Sequence, residues 1–281
     1  MDGSWRVARW FRLDRLGRTV PMLLAQKLMH GCSTRRSRAI TLIRMDVFFP
    51  MAGQGARFGH RFKPFLTIGD QLFIEAAVEP FCRFQSQIGR FVFVYLEAQE
   101  QEFGVSRRLQ EVLSGLPIAT VRLAAPTRGP AETIGRAIEQ LREPVGAAFV
   151  CDCDHSLDVE PLFRWVSENP EFDALLPVWP LERDNLDAWS VAMVEGDRVW
   201  GMSEKRLPDG TRGTAMGVIG CYGFRDLARV SARGSALGAT NFSDIVADML
   251  ARGEVVNAVA IGRARFFGDP ARLARAVEGA A

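Results

Sequence analysis

The sequence predicts an α/β fold with three layers, in which helices cover both faces of a mixed, mostly parallel central sheet. From Met45 onward, short apolar runs alternate with stretches of helical period. The apolar runs are hydrophobic at every position, which is typical of parallel strands that are buried on both faces. At 281 residues the chain is long enough for one large domain of this kind.

Strands and helices are predicted in regular alternation up to residue 150. In chain order these are the strand Met45–Phe49, the helix Phe73–Phe84, the strand Arg90–Leu96, the charged helix Gln99–Leu113, the strand Ile118–Leu123, the helix Ala131–Leu141 and the strand Ala147–Val150. Ligands of such sheets bind beyond the carboxyl ends of the strands. The loop Met51–Lys63 follows the first strand and is therefore the first place to look for a site.

The pattern changes after about Pro180, where a hairpin and a glycine-rich strand are predicted. The later elements are the strands Ser190–Val194 and Arg198–Met202, the strand Met216–Phe224, a helix Phe242–Leu250 that opens at Asn241 or Ser243, the strand Val255–Ile261 and the helix Ala271–Val277. A hairpin implies antiparallel pairing. This region therefore predicts that the sheet is mixed and carries a C-terminal elaboration.

Residues 1–44 are predicted to be a basic N-terminal extension, and residues 45–281 a single domain. The extension is rich in arginine, with only Asp2 and Asp14 opposing the charge. Arginines at a spacing of three through Arg18 fit a basic amphipathic helix that could lie on an anionic membrane surface. The alternatives are a poorly ordered extension, or sequence upstream of a start at Met45.

The composition excludes some broad classes of protein. A formal net charge of +2 gives no indication of nucleic-acid binding. Apolar runs fall short of the roughly twenty residues that span a bilayer. Five cysteines without a C-x-x-C pair fit a reducing cytoplasm. The sequence leaves the oligomeric state open, a homo-oligomer included.

The loop after the first strand is suited to binding phosphate. It contains Gly53, Gly55 and Gly59, and it carries Arg57 and then Lys63. Glycines let backbone N–H groups approach an anion closely, and the basic side chains add positive charge. The chain has no G-x-x-x-x-G-K-[ST] run, and the spacing of the glycines does not fit the dinucleotide fingerprint. A different phosphate-handling loop is therefore expected.

The stretch Pro50–Phe58, followed by Lys63-Pro64-Phe65, resembles the G-x-G-x-R-F…P-K-P signature of the sugar-phosphate nucleotidyltransferases. Phe62 stands where the family usually has a Pro before the Lys. The resemblance implies a Rossmann-like fold of the nucleotide-diphospho-sugar transferase type. It also implies that Arg57 stabilises the departing pyrophosphate and that Lys63 contacts the phosphate under attack.

Further segments resemble the family's motifs in the same order along the chain, from about Met45 to Leu273. These segments are Thr127–Thr133 for T-x-G-[AP]-A-x-T, Phe149–Asp154 for the strand that ends in a metal-binding Asp, Trp189-Ser190 for W-S, Glu204-Lys205 for E-K, Gly217–Phe224 for G-x-Y-x-F and Phe266–Leu273 for W-G-T-P-E-D-L. Several matches in the same order are far more specific than any one of them.

The resemblance implies an Mg²⁺-dependent transfer of a nucleotide from a nucleoside triphosphate to a sugar 1-phosphate, which releases pyrophosphate. The implied catalytic residues are Arg57, Lys63 and Lys205. The implied nucleotide-binding residues are Ala52, Gly53, Gln54, Gly55, Gly129, Glu132 and Thr133. The implied acceptor-binding residues are Trp189, Glu204, Lys205, Gly217 and Asn241. The implied metal ligands are Asp152 and Asp154, with Asp269 as the local candidate for a further one.

Two other functions fit part of these residues. A glycosyltransferase of the GT-A type also uses a D-x-D strand end, but no pyrophosphate leaves and it has no requirement for G-x-G-x-R with a following Lys-Pro. A non-catalytic module that binds a nucleotide or sugar nucleotide is expected to lose charged site residues, whereas Arg57, Lys63, Asp154 and Lys205 are all present. The base and the phosphorylated acceptor stay open, and phosphocholine is one non-sugar acceptor that would fit.

Overall fold

A ten-stranded sheet forms the centre of the part of the chain that the structure describes. This computed structural model describes residues 43–53, 55, 58–181, 186, 188–209 and 212–278. Its strands are β1 (Met45–Pro50), β2 (Thr67–Ile68), β3 (Gln71–Leu72), β4 (Ile88–Leu96), β5 (Ile118–Leu123), β6 (Ala148–Cys151), β7 (His155–Leu157), β8 (Ala174–Pro180), β9 (Ser190–Glu195), β10 (Arg198–Glu204), β11 (Thr214–Val218), β12 (Cys221–Phe224), β13 (Val256–Ala260) and β14 (Ala264–Phe266).

The helices lie between these strands, and the two over Glu160–Glu168 and Leu227–Leu237 were not predicted from the sequence. They are α1 (Phe73–Val78), α2 (Glu97–Phe103), α3 (Val105–Val112), α4 (Pro130–Gln140), α5 (Glu160–Glu168), α6 (Leu227–Leu237), α7 (Phe242–Ala251) and α8 (Pro270–Glu278), with 3-10 helices at Lys63–Phe65 and Glu79–Gln87. No helix among the described residues is both long and apolar enough to cross a bilayer.

The sheet is mixed, with strand order β11-β9-β10-β13-β8-β12-β6-β1-β4-β5. Strands β6, β1, β4 and β5 pair in parallel. Beyond β6 the pairing is antiparallel except between β8 and β13. The prediction of a mostly parallel sheet therefore holds for the N-terminal half only. In the other half, β9 and β10 form a hairpin. The remaining antiparallel pairs join strands that are not consecutive in the chain.

Helices pack on both faces of the sheet. Side chains of successive strand residues point to opposite faces, and Phe48 and Phe49 accordingly belong to different hydrophobic clusters. The cluster around Phe48 contains buried residues of α4, α6 and α7, and the cluster around Phe49 contains buried residues of α1, α3 and α5. Burial on both sides explains why β1, β4 and β6 are mostly apolar.

Three predicted elements are interrupted in the structure. Met216–Phe224 is two strands, because the chain leaves β11 at Val218 and begins pairing with β6 at Cys221. The helix predicted over Gln99–Leu113 breaks at Gly104, whose left-handed φ of 59° ends α2. The helix predicted over Phe73–Phe84 is α-helical only to Val78 and continues as a 3-10 helix.

The N-terminal edge of the described domain lies slightly before the predicted one. Ile43 packs against the cluster around Phe49. The guanidinium of Arg44 donates to the carbonyl of Ile88, at 2.7 Å from Nη2. Both residues therefore contact the sheet, although the prediction assigned them to the extension. The rest of that predicted segment, residues 1–42, lies outside the described residues.

Candidate active site

Two cavities open at the carboxyl end of β6 and share part of their walls. The glycine-loop cavity has a volume of about 510 Å³ and is lined by Ala52, Gly53, Gly55, Lys63, Thr127, Arg128, Gly129 and Thr133 among others. The tryptophan cavity has a volume of about 240 Å³ and is lined by Trp189, Ser190, Glu204, Lys205, Tyr222, Asn241, Gly268 and Arg272 among others. Pro130, Asp152 and Asp154 line both cavities.

The two aspartates are held by backbone contacts from the C-terminal half of the chain. The N–H of Asp152 donates to the carbonyl of Gly220 at 2.7 Å, and the carbonyl of Asp154 accepts from the N–H of Phe267 at 3.0 Å. The carboxylates lie against glycines: a Cβ at Gly220 would be 2.2 Å from Asp152 Oδ2, and one at Gly268 would be 2.6 Å from Asp154 Oδ2. Neither carboxylate has room for a neighbouring side chain.

The ammonium group of Lys63 forms an ion pair with the Oδ2 atom of Asp154. Burial disfavours the charged form of Lys63, but the negative charges of Asp154, first, and of Asp152 outweigh it and raise the lysine pKa. Burial likewise favours the neutral acid at Asp154, yet Lys63 and the His155 ring, 3.5 Å from Asp154 Oδ1, lower its pKa. The ion pair is therefore fully charged at neutral pH.

Asp152 is in a different electrostatic environment. The residue is exposed to the space of both cavities, whose walls surround its carboxylate. Burial and the nearby charge of Asp154 raise its pKa to about 6. Two carboxylates that share a site repel each other, and a cation placed between them relieves that repulsion.

The glycine loop is anchored from helix α2. Gln99 is buried, donates to the carbonyl of Gly53 at 3.1 Å and accepts from the N–H of Leu96 at 2.8 Å. Gly55 has a left-handed φ of 64°, and its carbonyl accepts from the N–H groups of Phe58 and His60. Sequence reasoning missed Gln99. A Gln three positions into a helix signals a cap but gives no indication of contact with a distant loop.

Phe62 has a packing role at the position where the resemblance leads one to expect Pro. Its buried ring stacks on Phe103 with centroids 5.2 Å apart, and it meets Phe65 edge-on at 4.9 Å. These contacts hold the 3-10 turn that begins at Lys63 and contains Pro64. The aromatic anchor therefore does by packing what a second proline would do by restricting the backbone.

The segment from Thr127 to Thr133 forms the opposite wall of the glycine-loop cavity. The hydroxyls of Thr127 and Thr133 lie 2.6 Å apart, and Thr133 Oγ1 donates to the carbonyl of Gly129 at 3.0 Å. A Cβ at Gly129 would lie 2.5 Å from the carbonyl oxygen of Thr240, so this close approach requires glycine.

The carboxylate of Glu132 binds protein groups outside the cavity wall. It accepts from the N–H of Arg128 at 3.0 Å, from Arg128 Nε at 2.8 Å and from Arg136 Nη2 at 2.7 Å. These contacts, those of Arg128 first, lower the pKa of Glu132 to about 2. Glu132 thus orients Arg128, which lines the cavity, and nucleotide binding by Glu132 itself stays a prediction.

A hydrogen-bonded network forms one wall of the tryptophan cavity. Glu204 Oε2 accepts from Ser190 Oγ at 2.6 Å and from Ser243 Oγ at 2.8 Å, and the hydroxyl of Tyr222 donates to Ser190 Oγ at 3.1 Å. The Tyr222 pKa is raised by burial, so its hydroxyl stays protonated. The Tyr222 proton points to Ser190, and both serine protons point to Glu204 Oε2. The other carboxylate oxygen of Glu204, Oε1, accepts none of these three hydrogen bonds.

Trp189 and Lys205 are held next to each other. The N–H of Lys205 donates to the carbonyl of Trp189 at 3.0 Å, and Lys205 has a left-handed φ of 56°. A Cβ at Gly217 would lie 2.6 Å from the Trp189 ring, and the guanidinium of Arg272 lies 5.0 Å from its centroid. Gly217, predicted to contact the acceptor, instead lies behind Trp189. Asn241 lines the cavity. It is also the N-cap residue of α7, in agreement with the prediction that this helix opens at Asn241 or Ser243.

Asp269 caps helix α8. Its Oδ1 accepts from the N–H of Arg272 at 2.9 Å, and its Oδ2 lies 3.6 Å from Arg272 Nε. An Asp before Pro270 at the first helical position is a common way to begin a helix. Both carboxylate oxygens face Arg272 in this structure, and the assignment of Asp269 as a metal ligand stays a prediction.

Asp152 and Asp154 fit a magnesium ion. Both offer hard carboxylate oxygens, and both line the space where the two cavities meet. No group of three or more His, Cys, Asp or Glu side chains suited to a metal occurs in the described ranges. Magnesium commonly takes only one or two protein carboxylates, and substrate phosphates and water complete its shell. Arg57 and Gln54, also predicted for the site, lie outside the described residues.

Residues 50–212 match the family model described as the MobA-like NTP transferase domain. The chain belongs to the MobA-like NTP transferase family. This match covers more than half of the 281 residues and includes the glycine loop, Lys63, both aspartates and Lys205. It confirms the resemblance that the motifs indicated. No curated protein sequence matches the chain.

Solved structures of similar fold cover nearly the whole of the described domain of this NTP transferase. The nucleoside-diphosphate-sugar pyrophosphorylase from Vibrio cholerae RC9 has a TM-score of 0.68 at 20% identity, covering 83% of this chain and 99% of that one. A putative glucose-1-phosphate thymidylyltransferase from Bacillus anthracis has a TM-score of 0.68 at 18% identity, covering 84% and 95%. The inositol-1-phosphate CTP transferase from T. maritima has a TM-score of 0.65 at 16% identity, covering 85% and 98%. At these identities the likeness establishes the fold.

Proposed function

We propose that this NTP transferase joins the nucleotide of a nucleoside triphosphate to a sugar 1-phosphate or a similar phosphorylated acceptor. The observation that carries the proposal is the meeting of two cavities at Asp152 and Asp154. One cavity has a glycine loop and Lys63 for a triphosphate, and the other has Lys205 and the Glu204 network for a phosphorylated polyol. The names of the solved structures of similar fold, which include sugar and inositol phosphates among the acceptors, support this reading.

The reaction exchanges one phosphoanhydride bond for another. An oxygen of the acceptor phosphate forms a bond to the α-phosphorus, and the bond from that phosphorus to the bridging oxygen of the β-phosphate breaks. Pyrophosphate leaves with the electron pair. The attacking phosphate is already ionised at neutral pH, so no general base is needed, and the reaction needs mainly alignment and neutralised charge.

Each proposed role follows from charge and location. Lys63, at the glycine loop, contacts the α-phosphate, and Arg57 stabilises the departing pyrophosphate. Lys205 binds the acceptor phosphate, and Glu204 accepts hydrogen bonds from acceptor hydroxyls. Asp152 and Asp154 hold Mg²⁺, which when bound neutralises phosphate charge where the cavities meet.

A pyrophosphate-release screen tests the proposal. The full chain is incubated with each of the four common nucleoside triphosphates, Mg²⁺ and a panel of sugar 1-phosphates, inositol 1-phosphate and phosphocholine. We expect release with at least one pair, and turnover lower by about a hundredfold or more in Asp154→Asn. Binding of nucleotides in a thermal-shift assay with no release for any pair would contradict the proposal and favour a non-catalytic binding module.

A further inference from the structure

The ion pair between Lys63 and Asp154 involves two residues with different proposed partners. Lys63 is assigned to the α-phosphate and Asp154 to the metal ion, yet the structure joins their side chains directly. Both are largely enclosed, with side-chain exposures of 24% and 21%. An ion pair screened from water in this way is stronger than one on the surface.

The oxygen that Lys63 contacts is the one that adjoins the cavity glycine. Asp154 Oδ2 accepts from Lys63 Nζ and lies next to Gly268, where a Cβ would be only 2.6 Å away. The other oxygen, Oδ1, faces the His155 ring at 3.5 Å. A cation that enters from the cavity and binds Oδ2 therefore competes with the ammonium group of Lys63 for the same oxygen.

We propose that Lys63 holds the metal-binding oxygen of Asp154 and releases it only when metal and triphosphate arrive together. The inference rests on the proposed function, which assigns Asp154 to the metal. A triphosphate gives Lys63 a new anionic partner at the moment when the metal takes Asp154. A metal ion alone must displace the lysine and leave it beside a second cation, so it binds weakly.

If Lys63 competes with the metal for Asp154, replacing Lys63 should raise the affinity for a bare metal ion. Replacing a lysine that only binds substrate has no such effect. Replacing Lys63 with an uncharged residue removes the competitor and leaves Asp154 in an enclosed site without a cation, which is costly. The variant should therefore bind a bare divalent metal more tightly than the original protein, even though it has lost a residue of the catalytic site.

The test is Mn²⁺ binding to the full chain without nucleotide, followed by electron paramagnetic resonance and calorimetry. We expect Lys63→Met to bind Mn²⁺ about tenfold more tightly than the original protein, a difference of about 1.4 kcal/mol. Lys63→Gln, which keeps a polar side chain, should behave in the same way. Circular dichroism and thermal melting establish that each variant is folded.

Two control variants separate the possible outcomes. Lys205→Met removes a lysine from the adjoining cavity that forms no ion pair with Asp154 within the described ranges, and it should change Mn²⁺ affinity by less than about twofold. Asp154→Asn should abolish binding. If Asp154→Asn retains binding, the proposed metal site is wrong. If it loses binding but neither Lys63 variant binds more tightly, the competition is overturned and the proposed function stands. Absence of Mn²⁺ binding in both Lys63 variants also overturns the competition.

Discussion

At the scale of single residues, the glycines beside the two aspartates matter more than their small size suggests. Gly268 and Gly220 each leave a carboxylate oxygen open to the cavity, and any Cβ there would collide with it. Neither glycine needs a left-handed backbone, so the requirement is one of space alone. Glycines of this kind cannot be predicted from turn motifs, because those motifs identify glycines that need a positive φ.

Gly268→Ala should lower turnover by about a hundredfold while the protein stays folded. The new Cβ would lie 2.6 Å from Asp154 Oδ2 and must push the carboxylate out of place, and displacements of about 1 Å at a reacting centre are costly. Steady-state pyrophosphate release is the measurement. Gly262→Ala is the matched control, because no atom lies within 4 Å of its added Cβ. Equal activity in the two variants would contradict the steric argument.

Glu132 predicts a pH dependence of stability. Its pKa in the folded protein is about 2, below the value of about 4.3 in an unfolded chain. Its contribution is therefore present above about pH 4.3 and is lost as the pH falls through about 2. Glu132→Gln should lower the urea midpoint at pH 7, and the difference from the original protein should shrink as the pH falls from about 4.3 towards 2.

The control for this pH dependence lies on the same helix. Glu139 is exposed and forms no ion pair in the part of the chain that the structure describes, so Glu139→Gln should leave the urea midpoint unchanged. A Glu132→Gln deficit that stays constant from pH 7 to pH 3 would show that the loss comes from packing and that the charge of Glu132 contributes nothing.

At the scale of elements, helix α2 links the sheet to the glycine loop through one buried side chain. Gln99→Met should lower the free energy of unfolding by about 1–3 kcal/mol, because both the carbonyl of Gly53 and the N–H of Leu96 lose a buried partner. The KM for the triphosphate should also rise. Chemical denaturation and kinetics measure the two effects. Gln101→Ala, an exposed change on the same helix, should affect neither, and a similar loss there would contradict the assignment.

The sequence predicts best those elements that depend on local pattern. β5 has the predicted bounds, Ile118–Leu123, and β1 differs from its prediction by one residue, because an apolar run between polar ends marks a buried strand. The break at Gly220 could not be predicted. It arises because the chain changes pairing partners there, and partners far apart in sequence leave no local signal.

The residues of the candidate site also fall into two groups, those that a local motif predicts and those that depend on contacts between distant segments. Lys63, Asp152, Asp154, Trp189 and Lys205 were found from motifs, and the structure brings them to two adjoining cavities. Gln99 and the serines that bind Glu204 were missed, because their roles depend on contacts between distant segments. The cap at Asp269 could have been predicted, since Asp-Pro commonly begins a helix. The motif resemblance led to its prediction as a metal ligand.

At the scale of the whole molecule, the described domain begins at residue 43. A truncated protein that starts at Ile43 should melt at the temperature of the full chain. One that starts at Met45 should lose about 1 kcal/mol, because the carbonyl of Ile88 no longer accepts from Arg44. Calorimetry distinguishes the two. A large loss on removing residues 1–42 alone would show that the N-terminal segment belongs to the domain.

Strand β6 pairs in parallel with β1 on one side and antiparallel with β12 on the other, and the two aspartates follow it. The glycine-loop cavity is built almost entirely from chain before β7, whereas the tryptophan cavity draws mainly on chain after it. Under the proposed function, donor chemistry and acceptor choice are thus encoded in separate stretches of sequence. A new acceptor can be accommodated by replacing the second stretch while the first is inherited unchanged, which makes β6 the natural crossover point for a chimera.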